Sequence, residues 1–146
     1  MNDSPFAIQL DGLSKTYRRS HLGRVKTSLG VEGMTLSVRE GEVFGLLGLN
    51  GSGKTTTIKL MLGLLFPSSG NIKIFGFPAG SPEAKRAVGF LPEIPYFYKF
   101  LSGREVLRFY GRLSGIPEAQ LGSRIEEVLN VVRMTANAGR AMREYS

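Results

Sequence analysis

Apolar and polar residues alternate at Ile8 and Leu10, and again at Met34, Leu36 and Val38 against Thr35, Ser37 and Arg39. That two-residue period is the mark of a strand with one buried face. Asp11-Gly12 punctuates the first segment, Leu13 to Tyr17 extends it, and the two together predict an antiparallel hairpin. Residues 18–30 between them show little periodicity and read as a loop. Glu40-Gly41 turns the chain into Val43-Phe44-Gly45-Leu46-Leu47, a short apolar run that predicts a buried strand.

Beyond residue 54 the period lengthens, and Ile58, Met61, Leu62 and Leu65 form one apolar stripe of a helix. Pro67-Ser68-Ser69-Gly70 is a turn, Ile72 and Ile74 mark a strand, and Ser81-Pro82-Glu83 has the N-cap and first-position proline of a short helix. Ala87 to Leu91 is a compact apolar strand that ends at Pro92-Glu93. From there the chain turns helical. Ser102-Gly103-Arg104-Glu105 is a capping box ahead of a stripe of Val106, Leu107, Tyr110 and Leu113. A further helix buries Leu121, Ile125, Val128, Leu129 and Val132, with its start left open by a second capping box, Ser123 to Glu126.

The first strand-to-helix junction carries chemistry. Gly48-Leu49-Asn50-Gly51-Ser52-Gly53-Lys54-Thr55 matches the phosphate-loop pattern G-x-x-x-x-G-K-[ST] at every fixed position, with a predicted strand before it and a helix after it. Gly48, Gly51 and Gly53 allow successive backbone N–H groups to turn inward around an anion. The positive end of the following helix then points at the phosphates. Lys54 supplies a mobile cation for the β- and γ-phosphates, and the Thr55 hydroxyl is the expected protein ligand of Mg²⁺. Leu49 to Thr56 are therefore the candidate nucleotide-binding residues.

Composition adds bounds. The 146 residues are 42% hydrophobic and 21% charged, as in a globular domain. Membrane helices need about 18 successive apolar residues, and no stretch approaches that. The first five residues lack the basic and then apolar layout of a secretion signal. The absence of cysteine removes disulfides and thiolate metal sites and agrees with a cytoplasmic address. The formal net charge of +7 suggests an anionic partner. Its densest cluster, Arg18, Arg19, Arg24 and Lys26, has no interleaved aromatics, so it reads as a solvated loop, and no nucleic-acid partner is expected.

With these elements in place, the chain from Leu10 to Ser146 resembles the front portion of the ATP-binding domain of ABC transporters, and L-P-E at Leu91 to Glu93 resembles the exporter-like branch. The segments that carry the likeness are G-E-V-F-G-L-L-G-L-N-G-S-G-K-T-T at Gly41 to Thr56, G-L-L-F-P-S-S-G at Gly63 to Gly70, and V-G-F-L-P-E at Val88 to Glu93. The resemblance implies an α/β fold: a phosphate-loop NTPase core on parallel strands, an antiparallel β subdomain before it and a helical arm after it. Residues 1–100 would hold the first two and residues 101–146 the helical subdomain.

It further implies ATP and Mg²⁺ as ligands, an integral membrane subunit and a second ATP-binding domain closing head to tail as partners, and a place on the inner face of the cell membrane. By position, Tyr17 matches the aromatic residue that stacks on adenine; the other reading is that it covers the sheet edge. Glu93 stands where the family usually has Gln, near Mg²⁺ and the attacking water. It either keeps that metal-side, catalytic role with an added negative charge or is a surface acid. Tyr96, Phe97, Tyr98 and Phe100 lie where relatives contact their membrane subunit, though they suit a packed core equally. Lys54 is the other candidate catalytic residue. His21 precedes the phosphate loop, reads as a loop histidine and cannot be the family's switch histidine.

The rival readings are a GTPase or small-molecule kinase using the same loop, and a soluble non-transport relative. No N-K-x-D guanine motif is present, which weighs against the GTPase.

Arg143-Glu144-Tyr145-Ser146 resembles the approach to the family's signature motif, with Ser146 as its first serine. The later acidic pair and histidine have no counterpart in these residues. Positioning and charge stabilisation supply most of phosphoryl-transfer catalysis. The 146 residues are therefore predicted to bind ATP without turnover above background. A phosphate-release assay beside a Lys54→Ala control checks this: release that depends on Lys54 and rises with protein concentration would overturn it.

Overall fold

A computed structural model describes residues 5–21, 23–93 and 96–145, with His21 described only in its backbone. The readings placed on residues 1–4, Ile94-Pro95 and Ser146 lie outside the described residues. The chain divides into two compact units, residues 1–90 and 91–146. The division falls ten residues before the expected boundary because Lys99 and Leu101 are tied into the helical unit. Their carbonyls accept from Arg143 N at 3.1 Å and Met142 N at 2.8 Å.

In the first unit, β1 (Phe6–His21), β2 (Arg24–Arg39), β3 (Ser69–Ile74) and β4 (Phe77–Pro78) form one antiparallel sheet in the order β2-β1-β3-β4. The register sets Leu10 between Leu36 and Ile72, and Ile8 between Val38 and Ile74, so the predicted alternation becomes one apolar face. Helix α1 (Lys54–Met61) and the short helix α2 (Pro82–Arg86) cover it. Leu10, Leu13, Val31, Leu60, Ile72, Ile74 and Ala84 form the buried cluster. Each fully buried Leu, Ile or Val is worth roughly 1.5–3 kcal/mol. The opposite face is polar, with Gln9, Asp11, Thr35, Ser37, Asn71 and Lys73 around a shallow groove.

Two expectations need correction here. Of residues 18–30, expected as a loop, 18–21 and 24–30 complete the long ribbon of β1 and β2, with His21 closing β1 opposite Arg24. The side chains at 18–20 and 24–29 are exposed on both faces, so the ribbon needs no apolar period and shows none. Conversely, Val43 to Leu47 and Ala87 to Leu91, expected as core strands, join no ladder among the described residues, and the strands that form pair antiparallel. A strand exists through its partner's hydrogen bonds, and these apolar runs have none in the sheet. Val43 is fully exposed and Leu47 is 92% exposed. On α1 the deepest residues are Thr57 and Leu60. The predicted stripe of Ile58, Met61, Leu62 and Leu65 is half-buried.

The second unit is built on α3 (Gly103–Leu113) and α4 (Glu118–Val131), around Leu121, Ile125, Leu129 and Ala138. The capping box forms as predicted: the Ser102 hydroxyl accepts from Glu105 N, and Glu105 Oε2 accepts from Ser102 N at 2.7 Å. Helix α4 starts at Glu118 after Pro117, and the Ser123 hydroxyl, expected as a possible cap, donates to Gln120 O inside the helix. Tyr110 and Leu113, expected in the buried stripe of α3, are exposed, as is Val132 at the end of α4. The core of this unit takes in Leu107 from α3, and Leu121 and Ile116 pack close to the bare backbone at Gly111 on the same helix.

Hydrogen bonds from the Ser102 backbone and then its hydroxyl hold the Glu105 carboxyl below its usual range. The bidentate Arg112 guanidinium does the same to Glu118. A carboxyl whose folded pKa is depressed contributes stability that is complete above its unfolded pKa and drains as pH falls through the folded value. Helix content of this unit is therefore expected to fall on acidification below the ordinary carboxylate range. Ser102→Ala should cost about 1 kcal/mol at neutral pH and flatten the acid dependence. Circular dichroism against denaturant at several pH values checks this, and an unchanged midpoint in the variant would count against the cap.

Candidate nucleotide-binding site

The phosphate loop runs directly into α1, and Gly53 is the joint. Its φ of 93° lies in the left-handed region, where a side chain is strained. A Cβ there would also lie 2.2 Å from the Gly30 carbonyl oxygen on β2. Gly53 is thus fixed by its backbone angle and by the close approach of the neighbouring strand. Its carbonyl accepts from Thr57 N at 2.8 Å and from Thr57 Oγ1 at 3.0 Å. Thr57, 1% exposed, is the one buried polar side chain among the described residues. Thr57 was not singled out in the sequence; the signal available was a third threonine after Lys54.

The electrostatics of α1 differ from those of its neighbours. Helices α2, α3 and α4 each carry an acid in the first turn, Glu83, Glu105 and Glu118, while α1 carries none and has no side-chain cap. The first-turn N–H groups and the positive end of its dipole are left unopposed, the condition that favours an anion. Leu49, Asn50, Gly51, Ser52 and Thr55 are exposed around this end, and Gly53, Lys54 and Thr56 are half-buried. Lys54 Nζ folds back over the loop and donates to Gly48 O at 2.6 Å and Leu49 O at 2.8 Å.

Tyr17 arrives from β1. Its hydroxyl lies 3.3 Å from Thr56 Oγ1, one residue past Thr55, so the structure brings the aromatic ring and the loop's helix together. Lys15 Nζ, held by the Phe66 carbonyl at 2.7 Å, sits 5.6 Å from the ring centroid, a cation over the π-face. Gly30 makes the fit possible, since a Cβ there would lie 2.8 Å from Tyr17 Cε2 and 3.2 Å from Thr56 Cγ2. Lys15 and Gly30 were missed in the sequence because the Phe66 carbonyl that holds Lys15 is 51 residues away and the Tyr17 ring that faces Gly30 is on the other strand.

Glu93 belongs to the other unit, where it is exposed in a bend. In that unit Phe97 meets Tyr110 edge-on at 6.1 Å and Tyr98 meets Phe109 at 6.0 Å. Tyr96, Tyr98 and Phe100 nonetheless remain exposed, by 88%, 57% and 73%. The aromatic cluster is therefore a surface on α3 rather than a core.

Comparison with known proteins adds the following. The family model described as "ABC transporter" matches residues 31–146. Over 99% of its length the chain is 40% identical to an uncharacterised ABC transporter ATP-binding protein of Nostoc sp., and it covers 43% of that protein. It spans less than half the length of the curated relatives it matches first. Among solved structures, an ATP-binding subunit of an ABC transporter aligns with a TM-score of 0.74 and 31% identity, over 96% of this chain and 56% of that one. A dimeric ATP-binding cassette in a post-hydrolysis state, bound to ADP and Pi, aligns with a TM-score of 0.76 over 95% of this chain and 63% of the other. At 19% identity it speaks for the fold alone.

Proposed function

The chain belongs to the ABC transporter family, and we propose that it binds ATP with Mg²⁺ at Leu49 to Thr56 as part of a subunit that couples ATP hydrolysis to transport. The observation that carries the reading is α1, the helix that leaves its positive end without an acid or a side-chain cap, flanked by Lys54 and by Tyr17 at 3.3 Å from Thr56. The unopposed positive end of α1 beside Lys54 supports a polyphosphate as its ligand. Backbone N–H groups of the loop and first turn would hold the phosphate oxygens, and the Lys54 ammonium would exchange its two loop carbonyls for them. Tyr17, with Lys15 over its ring, would receive adenine.

The Thr55 hydroxyl is the hard oxygen this chain offers to Mg²⁺, which takes its remaining ligands from phosphates and water. When bound, the metal would neutralise charge developing on the transferred phosphoryl group. Glu93 is proposed to approach the metal. The exposed aromatics Tyr96, Tyr98 and Phe100 are proposed to meet an integral membrane subunit. A second copy of the ATP-binding domain is proposed to close over the loop. Both partners would place the protein on the inner face of the membrane.

Two outcomes test the site. Tyr17→Ala should weaken ATP by about 1–3 kcal/mol, whereas Tyr17→Phe, which keeps the π-face and loses only the Thr56 contact, should cost little. Equal losses in titration would show that Tyr17 merely covers the sheet edge. Glu93→Gln removes a negative charge, so it should weaken ATP binding in Mg²⁺ and strengthen it in EDTA. Identical titrations of both forms would make Glu93 a surface acid.

A further inference from the structure

The β1–β2 ribbon continues outward past the nucleotide site. Strand β3 pairs with β1 only from Ile8 to Ser14, so the ribbon is two-stranded beyond that point. Among the described residues, Tyr17 is the outermost of its side chains to bond back to the rest of the unit, and residues 18–20 and 23–29 are exposed. An isolated two-stranded ribbon is marginally stable at best in water. This one is also strongly charged. Lys15, Arg18, Arg19, Arg24 and Lys26 fall within it, and no acid occurs between Asp11 and Glu32.

The register places the charges. From Thr16 to His21 it is unbroken, with Tyr17 opposite Ser28, Arg18 opposite Thr27, Arg19 opposite Lys26 and Ser20 opposite Val25. Directly opposed residues share a face and faces alternate along the strand. Arg19, Lys26 and Arg24 therefore continue outward on the face that carries Tyr17. Arg19 and Lys26 are like charges set directly across a ladder, a destabilising arrangement. Neither they nor Arg18 and Arg24 have an ion-pair partner among the described residues. The other face exposes Val25 by 58% and Leu29 by 59%.

We propose that this ribbon, through its described side chains at 18–20 and 24–29, is a docking surface for an anionic lipid bilayer. The cations would meet headgroup phosphates, and Val25 and Leu29 would sink into the boundary below them. Charge complementarity calls for an anion, and the exposed pair Val25 and Leu29, which share their face with Arg18, Ser20 and Thr27, decides which kind. Single-stranded nucleic acid is gripped by aromatic platforms, and residues 18–29 contain no Phe, Tyr or Trp. A tip that joins four cations to exposed aliphatic residues fits an interface where charge and hydrocarbon lie within a few ångströms of each other. The contact would also relieve the Arg19–Lys26 repulsion and support a ribbon that lacks a third strand. The proposal rests on the transporter reading only in placing the chain at a membrane.

Vesicle co-sedimentation tests it. The purified protein is mixed with phosphatidylcholine vesicles with or without 30% phosphatidylserine, a proportion of roughly the anionic content that attracts polybasic segments. Binding to the anionic vesicles alone, lost as salt screens the charges, is the expected result. Each cation removed should lower partitioning about fivefold. Arg19→Gln with Lys26→Gln should thus lose roughly twenty-five-fold while ATP affinity, measured in parallel, is unchanged and certifies the fold. Val25→Ser should weaken vesicle binding further without altering its salt dependence. Equal partitioning of the double variant and the parent would overturn the proposal, as would tighter binding to single-stranded DNA or polyglutamate than to the anionic vesicles. Loss of ATP binding in the parent with vesicle binding intact would fall on the nucleotide reading and leave the ribbon standing.

Discussion

The closest backbone approach at the candidate site, Gly53 against the carbonyl of Gly30, governs what surrounds it. With no side chain between them, β2 lies directly on the joint between phosphate loop and helix. Strand β1, hydrogen-bonded to β2, then delivers Tyr17 to Thr56. Inserting even a methyl group at Gly53 would push against backbone, which cannot yield as a flexible side chain does. The two halves of the proposed nucleotide site, aromatic and phosphate-binding, are held in register by this one contact. Thr57 reinforces it from the other side by tying the helix back to the Gly53 carbonyl.

The helical unit secures itself differently. Its C-terminal segment returns antiparallel to the start of α3: Gly103 N donates to Arg140 O and Arg104 N to Ala138 O, and Met142 N returns to Leu101 O. The Tyr145 hydroxyl closes the same segment by donating to Asn137 O at 2.6 Å. Arg104 also pairs with Glu126 across to α4. Exposed ion pairs of this kind are worth little alone. The backbone bonds fix the segment that resembles the approach to the signature motif against the beginning of α3, so the two must move together.

What was legible in the sequence was local. The loop motif, the alternation of Ile8, Leu10, Met34, Leu36 and Val38, and the Ser102–Glu105 box each encode their structure within a few residues, and each formed. The ribbon at residues 18–30 was not legible, because a strand solvated on both faces leaves no apolar period to read. Val43 to Leu47 failed in the opposite sense: the apolar run is a strand's, but strand formation needs partners, and the sequence of one segment does not supply them. The site divided along the same line. Lys54 and Thr55 came from a motif, whereas Gly30, Lys15 and Thr57 act through contacts that only the folded hairpin creates. The uncapped start of α1 was visible as a lack of Asp and Glu after Gly53, but it gained meaning only beside three helices that each place a glutamate there.

The hydrogen bonds of Lys54 bear on how strongly such a loop can hold an anion. The ammonium already donates to Gly48 O and Leu49 O, so phosphate would not meet a bare cation. Binding exchanges two charge-assisted bonds to neutral carbonyls for bonds to anionic oxygens, and only the difference appears as affinity. The same bonds tie the head of α1 back to the loop, so on the proposed reading the backbone N–H groups would need little reordering when an anion arrives. On the proposed reading Lys54 would act twice, first as an internal clasp on the loop and then as a ligand contact. Removing it would loosen the loop as well as delete a charge. On that reading the greater loss would fall on groups Lys54 never touches, the uncapped N–H groups of α1, whose orientation depends on the loop that the clasp ties down.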